Sequence, residues 1–250
     1  MSGSRLDWLV ARPVAHRGLH DAGAGVIENT PSAFTAAVNA DYAIECDLQI
    51  SADGEAMVHH DDALGRLTEG GGRLDEMTSA ELRRVAFKST ADRMISVGEL
   101  CELVAGRVTL VIELKSGRAG DQRLALRAAQ VLAAYAGPAA VMSFDPAQIL
   151  PLRRSAPQLT RGIVAERWRG QSGREQILAR GRRALAYGRD ALKAHPHFIA
   201  YSVKDLPAAL PLAARHLGGM PLLTWTVRGA ADRQRAARWA DQMIFEGFRP

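Results

Sequence analysis

Only two of the 250 residues are cysteine, Cys46 and Cys101. Two thiols are too few for a disulfide framework. Cys46 sits between two carboxylates and faces the other side of its segment, so it reads as a small buried apolar residue. This cysteine usage leads us to expect a cytoplasmic location. No run of eighteen apolar residues occurs, so no transmembrane helix is expected. The opening stretch MSGSRLDWLVARPVAHRG has neither a long apolar core nor a small-residue cleavage site, and no secretory leader is expected. Zinc-ligand spacing, RNA-recognition aromatics, low-complexity linkers and repeats beyond a strand–helix unit are missing too. The net charge is modest at +5, with 32 Lys and Arg against 27 Asp and Glu. Arginines concentrate between Arg161 and Arg189, at helical spacing among alanines and leucines. A solvated helix face explains them better than a nucleic-acid or lipid surface. No nucleic-acid partner and no integral membrane contact are therefore expected.

What is present is the composition of a soluble domain, 47% hydrophobic and 24% charged. Short β-branched runs alternate with longer Ala/Leu/Arg runs, which implies parallel strands with crossover helices. The predicted strands are Pro13 to His16, Ala43 to Ile50, Ala56 to His60, Val108 to Leu114 and Ala139 to Phe144. Arg161 to Ala165, Phe198 to Ser202, Leu222 to Val227 and Gln242 to Glu246 follow. Helix starts are marked by Thr30-Pro31 and by capping boxes at Thr78/Glu81 and Ser96/Glu99. The second and third strands are separated only by Ser51 to Glu55, which contains Asp53-Gly54. That gap suits a hairpin and not a parallel crossover. With the turn centred on Asp53-Gly54, paired residues sum to about 107 and His60 falls opposite Asp47. Removing the returning strand leaves eight. The expected fold is a single-domain (β/α)₈ TIM barrel over residues 1–250, with an insertion after the second strand at about residues 49–93.

The pair Glu45 and Asp47 in IECDLQI carries the chemistry. Residues two apart on a strand share a face. Two carboxylates on one buried face repel and lose hydration, which a cation between them relieves. A third acid, Glu113, lies in VIELK with Lys115 two residues on. His16 and Arg17 end the first strand, Ser143 and Phe144 the fourth of the barrel, and Trp225 and Glu246 the last two. Barrel topology gathers such strand ends at one rim.

The motifs AHRG (Ala15 to Gly18), ENTPSAF (Glu28 to Phe34), IECDLQISADGEAMVHHDDALGRLT, VIELK and LLTWTV occur in an order that resembles the glycerophosphodiester phosphodiesterase family. The resemblance is dense from Val14 to Thr68 and thinner after Ser143. It implies one divalent cation, Mg²⁺ or Ca²⁺, held by Glu45, Asp47 and Glu113. It also implies His16 and His60 as the acid–base pair, with Arg17 and Lys115 on the substrate phosphate. Of the adjacent histidines, the family's HD motif aligns with His60-Asp61 and not with His59. Glu28, Asn29 and Trp225 are candidate supporting residues. The implied activity is hydrolysis of a small glycerophosphodiester to glycerol 3-phosphate and an alcohol, with a cyclic phosphate on the route. The alternatives are a related barrel enzyme of the phospholipase D type, acting on lysophospholipids or sphingolipid headgroups, and a non-catalytic anion-binding barrel. The segment Ile244-Phe245-Glu246-Gly247-Phe248 departs from the family's usual threonine-aspartate-x-proline ending, so no role is carried over to it.

Overall fold

A computed structural model of the chain describes residues 6–117, 120–167 and 187–250. Its strands are β1 (Val14–Ala15), β2 (Ala43–Ile50), β3 (Ala56–Val58), β4 (Leu110–Leu114), β5 (Ala139–Ser143), β6 (Thr160–Ala165), β7 (Phe198–Ser202), β8 (Leu222–Val227) and β9 (Gln242–Phe245). They join in the order β1-β9-β8-β7-β6-β5-β4-β2-β3, and β1 pairs with β2 to close the ring. Every neighbouring pair is parallel except β2–β3. The result is a closed barrel of eight parallel strands, with β3 returning along the end of β2. Among the described residues, no helix is long and apolar enough to cross a membrane.

Strand alternation divides the core into two layers. Ile44, Cys46, Leu48 and Ile50 point outward, against Phe34 and Ala37 of the helix Pro31–Asn39 and Leu100 of the helix Val97–Val104. Cys46 is thus an apolar filler between strand and helices. The inward layer is formed by Val14, Ala43, Val111, Ala140, Met142, Val164, Phe198, Leu223 and Ile244. Leu9, from the short helix Asp7–Val10, joins this inner cluster. Phe198 fills the barrel beside Gly162, where a Cβ would come within 2.4 Å of the ring. The inner layer is apolar toward the amino ends of the strands. Toward the carboxyl ends it turns polar, and the site is there.

Both capping boxes form, at Thr78/Glu81 and Ser96/Glu99. Thr30 also occupies an N-cap position, but its hydroxyl donates to the Ile27 carbonyl at 2.7 Å instead of capping the helix. The hairpin register needs correction. Leu48 pairs with Val58, Gln49 with Met57 and Ile50 with Ala56, so partners sum to 106 and not 107. The loop has three residues, Ala52 to Gly54, closed by Ser51 N–H to the Glu55 carbonyl at 2.9 Å, with Gly54 left-handed at φ 82°. His59 and not His60 therefore lies opposite Asp47, and its N–H donates to the Asp47 carbonyl at 3.0 Å. Residues after the hairpin build a satellite core of Leu64, Leu74, Leu82, Phe87 and Met94, on which Ile27 and Met57 also pack. Most of the basic 161–189 stretch lies outside the described residues. Arg161 itself is buried in β6, and its guanidinium donates to the Ala194, Pro157 and Leu159 carbonyls, so it is no part of a solvated face.

Candidate active site

The carboxyl ends of the strands surround a cleft of about 390 Å³, lined among others by His16, Arg17, Glu45, His60, Glu113 and Lys115. A larger cleft, about 700 Å³, opens at the amino ends of the strands. Among the described residues, His197 is its one titratable lining residue, so the cluster of titratable side chains lies in the smaller cleft.

Register explains the acid cluster. Asp47 pairs with Glu113 across β2–β4, and Glu45 lies two residues earlier on the same inward face. All three carboxylates are buried and offer oxygens within 4.8 Å of one another. Burial, reinforced by Asp47 and Glu113, pushes the Glu45 pKa well up. Glu113 is raised by burial and by Asp47. Burial alone would raise Asp47 as well, but the cations Lys115 and Arg17 outweigh it and hold Asp47 below its usual range. Lys115 Nζ lies 2.6 Å from Glu113 Oε1 and 2.8 Å from Asp47 Oδ1. The ammonium thus supplies part of the positive charge the acids need. The Asp47 Oδ1 atom is nevertheless buried without an aligned hydrogen-bond donor. Three clustered carboxylates and an oxygen without a donor fit a hard cation, which takes oxygen ligands. This triad can hold a metal ion.

The segments before β2 lock these acids in place. Arg17 and Asn29 both adopt left-handed backbone, each at φ 56°. The Arg17 N–H donates to Glu45 Oε2 at 2.9 Å. Asn29 Nδ2 donates to Asp47 Oδ2 at 2.9 Å, and Asp47 N–H returns a bond to Asn29 Oδ1 at 3.2 Å. Asn29 is thus a clasp on Asp47, and Thr30, not Asn29, precedes the helix.

Both candidate histidines are held through Nδ1 by a carboxylate. His16 Nδ1 bonds Glu246 Oε2, and His60 Nδ1 bonds Asp61 Oδ1 at 2.7 Å. Burial lowers the His16 pKa, and the bond to Glu246 offsets this only in part. His60 follows the end of β3, where the chain turns and Gln49 Nε2 donates to the His60 carbonyl at 2.9 Å. That turn brings the His60 ring into the cleft. His59 is buried and faces the Phe87 ring, 6.5 Å between centroids.

A chain of charges ties one side of the site together. Arg17 Nη1 and Arg66 Nη2 each donate to Glu28 Oε1 at 2.7 Å. Arg66 Nε donates to Asp61 Oδ2 at 2.6 Å. Burial works against ionised Asp61, but Arg66 and His60 bring its pKa down to about 2. Glu28 thus sits on Arg17 and is not one of the three clustered carboxylates. Trp225 is half-buried, lines the cleft, meets Phe144 edge-on at 5.3 Å, and keeps a buried indole N–H without an acceptor.

Sequence reasoning gave no role to Arg66 or Glu246. Arg66 lies six residues after His60, in the segment His60-Asp61-Asp62-Ala63-Leu64-Gly65-Arg66. Glu246 follows Phe245, which pairs with Ala15, so barrel closure alone puts it beside His16.

A model of the glycerophosphoryl diester phosphodiesterase family matches residues 16–248. The chain belongs to that family. Membership makes it a phosphodiesterase, and the match spans both histidine–carboxylate pairs and all three clustered acids. A glycerophosphodiester phosphodiesterase of Caldanaerobacter subterraneus is 26% identical over 238 residues, 89% of this chain and 88% of the relative. Among solved structures, an Oleispira antarctica phosphodiesterase in complex with the product sn-glycerol-3-phosphate superposes with a TM-score of 0.75. It is 18% identical and covers 95% of this chain and 94% of its own. The glycerophosphodiester phosphodiesterase of Thermotoga maritima gives a TM-score of 0.68 at 21% identity, with 94% of each chain covered. These two structures share the barrel fold with this chain.

Proposed function

We propose that this phosphodiesterase hydrolyses small water-soluble glycerophosphodiesters to glycerol 3-phosphate and an alcohol, with His16 and His60 as its acid–base pair. The observation that carries the reading is the convergence of one acid triad, two carboxylate-held histidines and two half-buried cations on a single cleft. The product bound by the Oleispira relative supports the glycerol phosphate half of the substrate. Glu45, Asp47 and Glu113 would hold Mg²⁺ or Ca²⁺, which supplies charge neutralisation and Lewis acidity at the phosphate. Arg17 and Lys115 take the remaining phosphate oxygens, Arg17 as a fork kept in plane by Glu28. Asn29 keeps the Asp47 carboxylate oriented, and the Trp225 face packs on glycerol carbons.

A phosphodiester has a poor alkoxide leaving group, so the reaction needs a base on one side of phosphorus and an acid on the other. One histidine takes the proton of the attacking glycerol hydroxyl while the other protonates the departing alkoxide, giving a cyclic phosphate. Water then opens the ring with the two roles exchanged. The single-domain reading, with residues 49–93 as an insertion, belongs to this proposal, because His60, Asp61 and Arg66 all come from that segment.

The test is a steady-state comparison of glycerophosphocholine, glycerophosphoethanolamine, glycerophosphoglycerol and long-chain lysolipids, before and after chelation. Turnover should vanish on chelation and return with Mg²⁺ or Ca²⁺. The three soluble diesters should lie within about a hundredfold of one another in kcat/KM, a span of about 3 kcal/mol. A preference for lysolipids above that span would favour the lipid-enzyme alternative, and full activity in metal-free protein would remove the triad from the mechanism.

A further inference from the structure

His16 and Glu246 follow the two strands whose pairing closes the barrel. Ala15 pairs with Phe245, and His16 N–H donates to the Phe245 carbonyl at 2.9 Å. The next residue of each strand is thereby set side by side. Both oxygens of the Glu246 carboxylate are engaged. Oε2 accepts from His16 Nδ1, and Oε1 accepts from Arg228 Nε at 2.5 Å. His20 Nε2 lies 3.9 Å from Oε2. The Glu246 backbone is fixed by its N–H to the Val227 carbonyl at 3.1 Å. Burial works against the ionised carboxylate, but the hydrogen bonds from His16 and Arg228, with the His20 ring nearby, hold its pKa far below the usual range.

An ionised carboxylate can only accept, so Nδ1 of His16 must carry the proton. In the neutral ring the lone pair is then on Nε2. Nε2 lies 3.9 Å from Glu45 Oε2, on the cleft side of the ring. Among the described residues, Glu246 is the one hydrogen-bond partner of the ring. We propose that Glu246 is a positioning residue. It fixes His16 as the Nδ1–H tautomer and aims Nε2 at the reacting phosphate, an inference that rests on the acid–base reading of His16. His60 has the matching device in Asp61, so the cleft is built from two histidine–carboxylate pairs. Asp61 adjoins His60 in sequence, whereas Glu246 reaches His16 only through ring closure, 230 residues away.

Glu246→Ala, Glu246→Gln and His16→Ala should be compared in hydrolysis of glycerophosphocholine with saturating divalent cation. The metal-free proteins should be examined by nitrogen NMR of labelled histidine. Partners that orient an active histidine are worth about 10- to 100-fold or more. Glu246→Ala should therefore lose about 10²-fold in kcat with KM changed less than about threefold. Its His16 signal should leave the Nδ1–H form, while the wild type shows that form alone. Glu246→Gln is nearly isosteric and gives the same two readouts should the alanine variant fail to fold. A dead His16→Ala beside Glu246 variants with kcat within threefold of wild type would sink this inference and spare the acid–base reading. So would an unaltered Nδ1–H signal in those variants. If His16→Ala itself turned over normally, the acid–base reading would fall and this inference with it.

Discussion

Glu45→Gln separates the two roles of the acid triad, because its effects with and without metal should have opposite signs. Fully ionised carboxylates with oxygens within 4.8 Å of one another repel by at least about 3.5 kcal/mol at an effective dielectric of about 20. The folded protein relieves this by keeping Glu45 protonated well above the usual pH range for a carboxyl. Without metal, an amide at position 45 therefore removes a liability, and the variant should be at least as stable as the wild type near neutral pH. With metal the order reverses. A cation at 100 times its Kd stabilises the protein that binds it by about 2.7 kcal/mol. If loss of one charged ligand raises Kd about 100-fold, the same concentration stabilises the variant by only about 0.4 kcal/mol. For a chain of this length each kcal/mol moves Tm by about 2–4 °C. Thermal unfolding in chelator and in excess divalent cation should then show a shift of about 5–10 °C for wild type and about 1–2 °C for Glu45→Gln. Equal shifts in the two proteins would refute the reasoning, since Glu45 would then hold no metal.

Two further outcomes follow from the same geometry. His60→Ala should lose about two to four orders of magnitude in kcat, while His59→Ala should keep most turnover and lose about 1–3 kcal/mol of stability from the Phe87 contact; a dead His59 variant with an active His60 variant would reverse the assignment. Glu45 and Glu113 bind their protons more tightly folded than unfolded, so in metal-free protein their contribution to stability falls as pH rises from about 4.5 through their raised values. Buried His16 and His59 have lowered pKa values and pull the other way around pH 6.5, so the wild-type minus Glu45→Gln difference in Tm isolates the carboxylates. That difference should grow more negative between pH 5 and 8, and a flat difference would show that Glu45 is not proton-bound in the fold.

The strands were legible because each is a short β-branched run bounded by turn residues. Ala43–Ile50, Phe198–Ser202 and Leu222–Val227 match residue for residue. Glu45, Asp47 and Glu113 were legible for a related reason, since alternation within β2 is local information. The hairpin register was not. Asp53-Gly54 signals a turn, but the sequence does not say whether the loop holds two residues or three, and one residue shifts every partner. The resulting error fell on His60, which enters the cleft by a turn beyond the last paired residue and not by strand pairing. Glu246 was hidden by distance. Its partner His16 is 230 residues away, and only the β1–β9 contact, a property of the closed ring, brings them together. Arg66 was hidden by its setting, because its two acid partners, Glu28 and Asp61, are arranged by the satellite core that carries Leu64 and Phe87.

The AHRG and ENT motifs are also instructions to the backbone. Gly18 has φ 81°, and a Cβ there would lie 2.8 Å from Ala33 Cβ at the start of the helix Pro31–Asn39. Glycine lets the turn after His16 pass close to that helix. Arg17 and Asn29 hold left-handed conformations that cost a non-glycine residue about 1–3 kcal/mol each. The two are joined by Asn29 N–H to the Arg17 carbonyl at 2.9 Å, so they form one strained unit and not two separate outliers. That unit delivers the Arg17 N–H to Glu45 and the Asn29 amide to Asp47. Both bonds favour the ionised form of a buried carboxylate, which is the form a cation needs. The strain is offset where the charge would otherwise be costly. Substitutions that relax the backbone at Arg17 or Asn29 therefore act on the acids through geometry, without changing any candidate metal ligand.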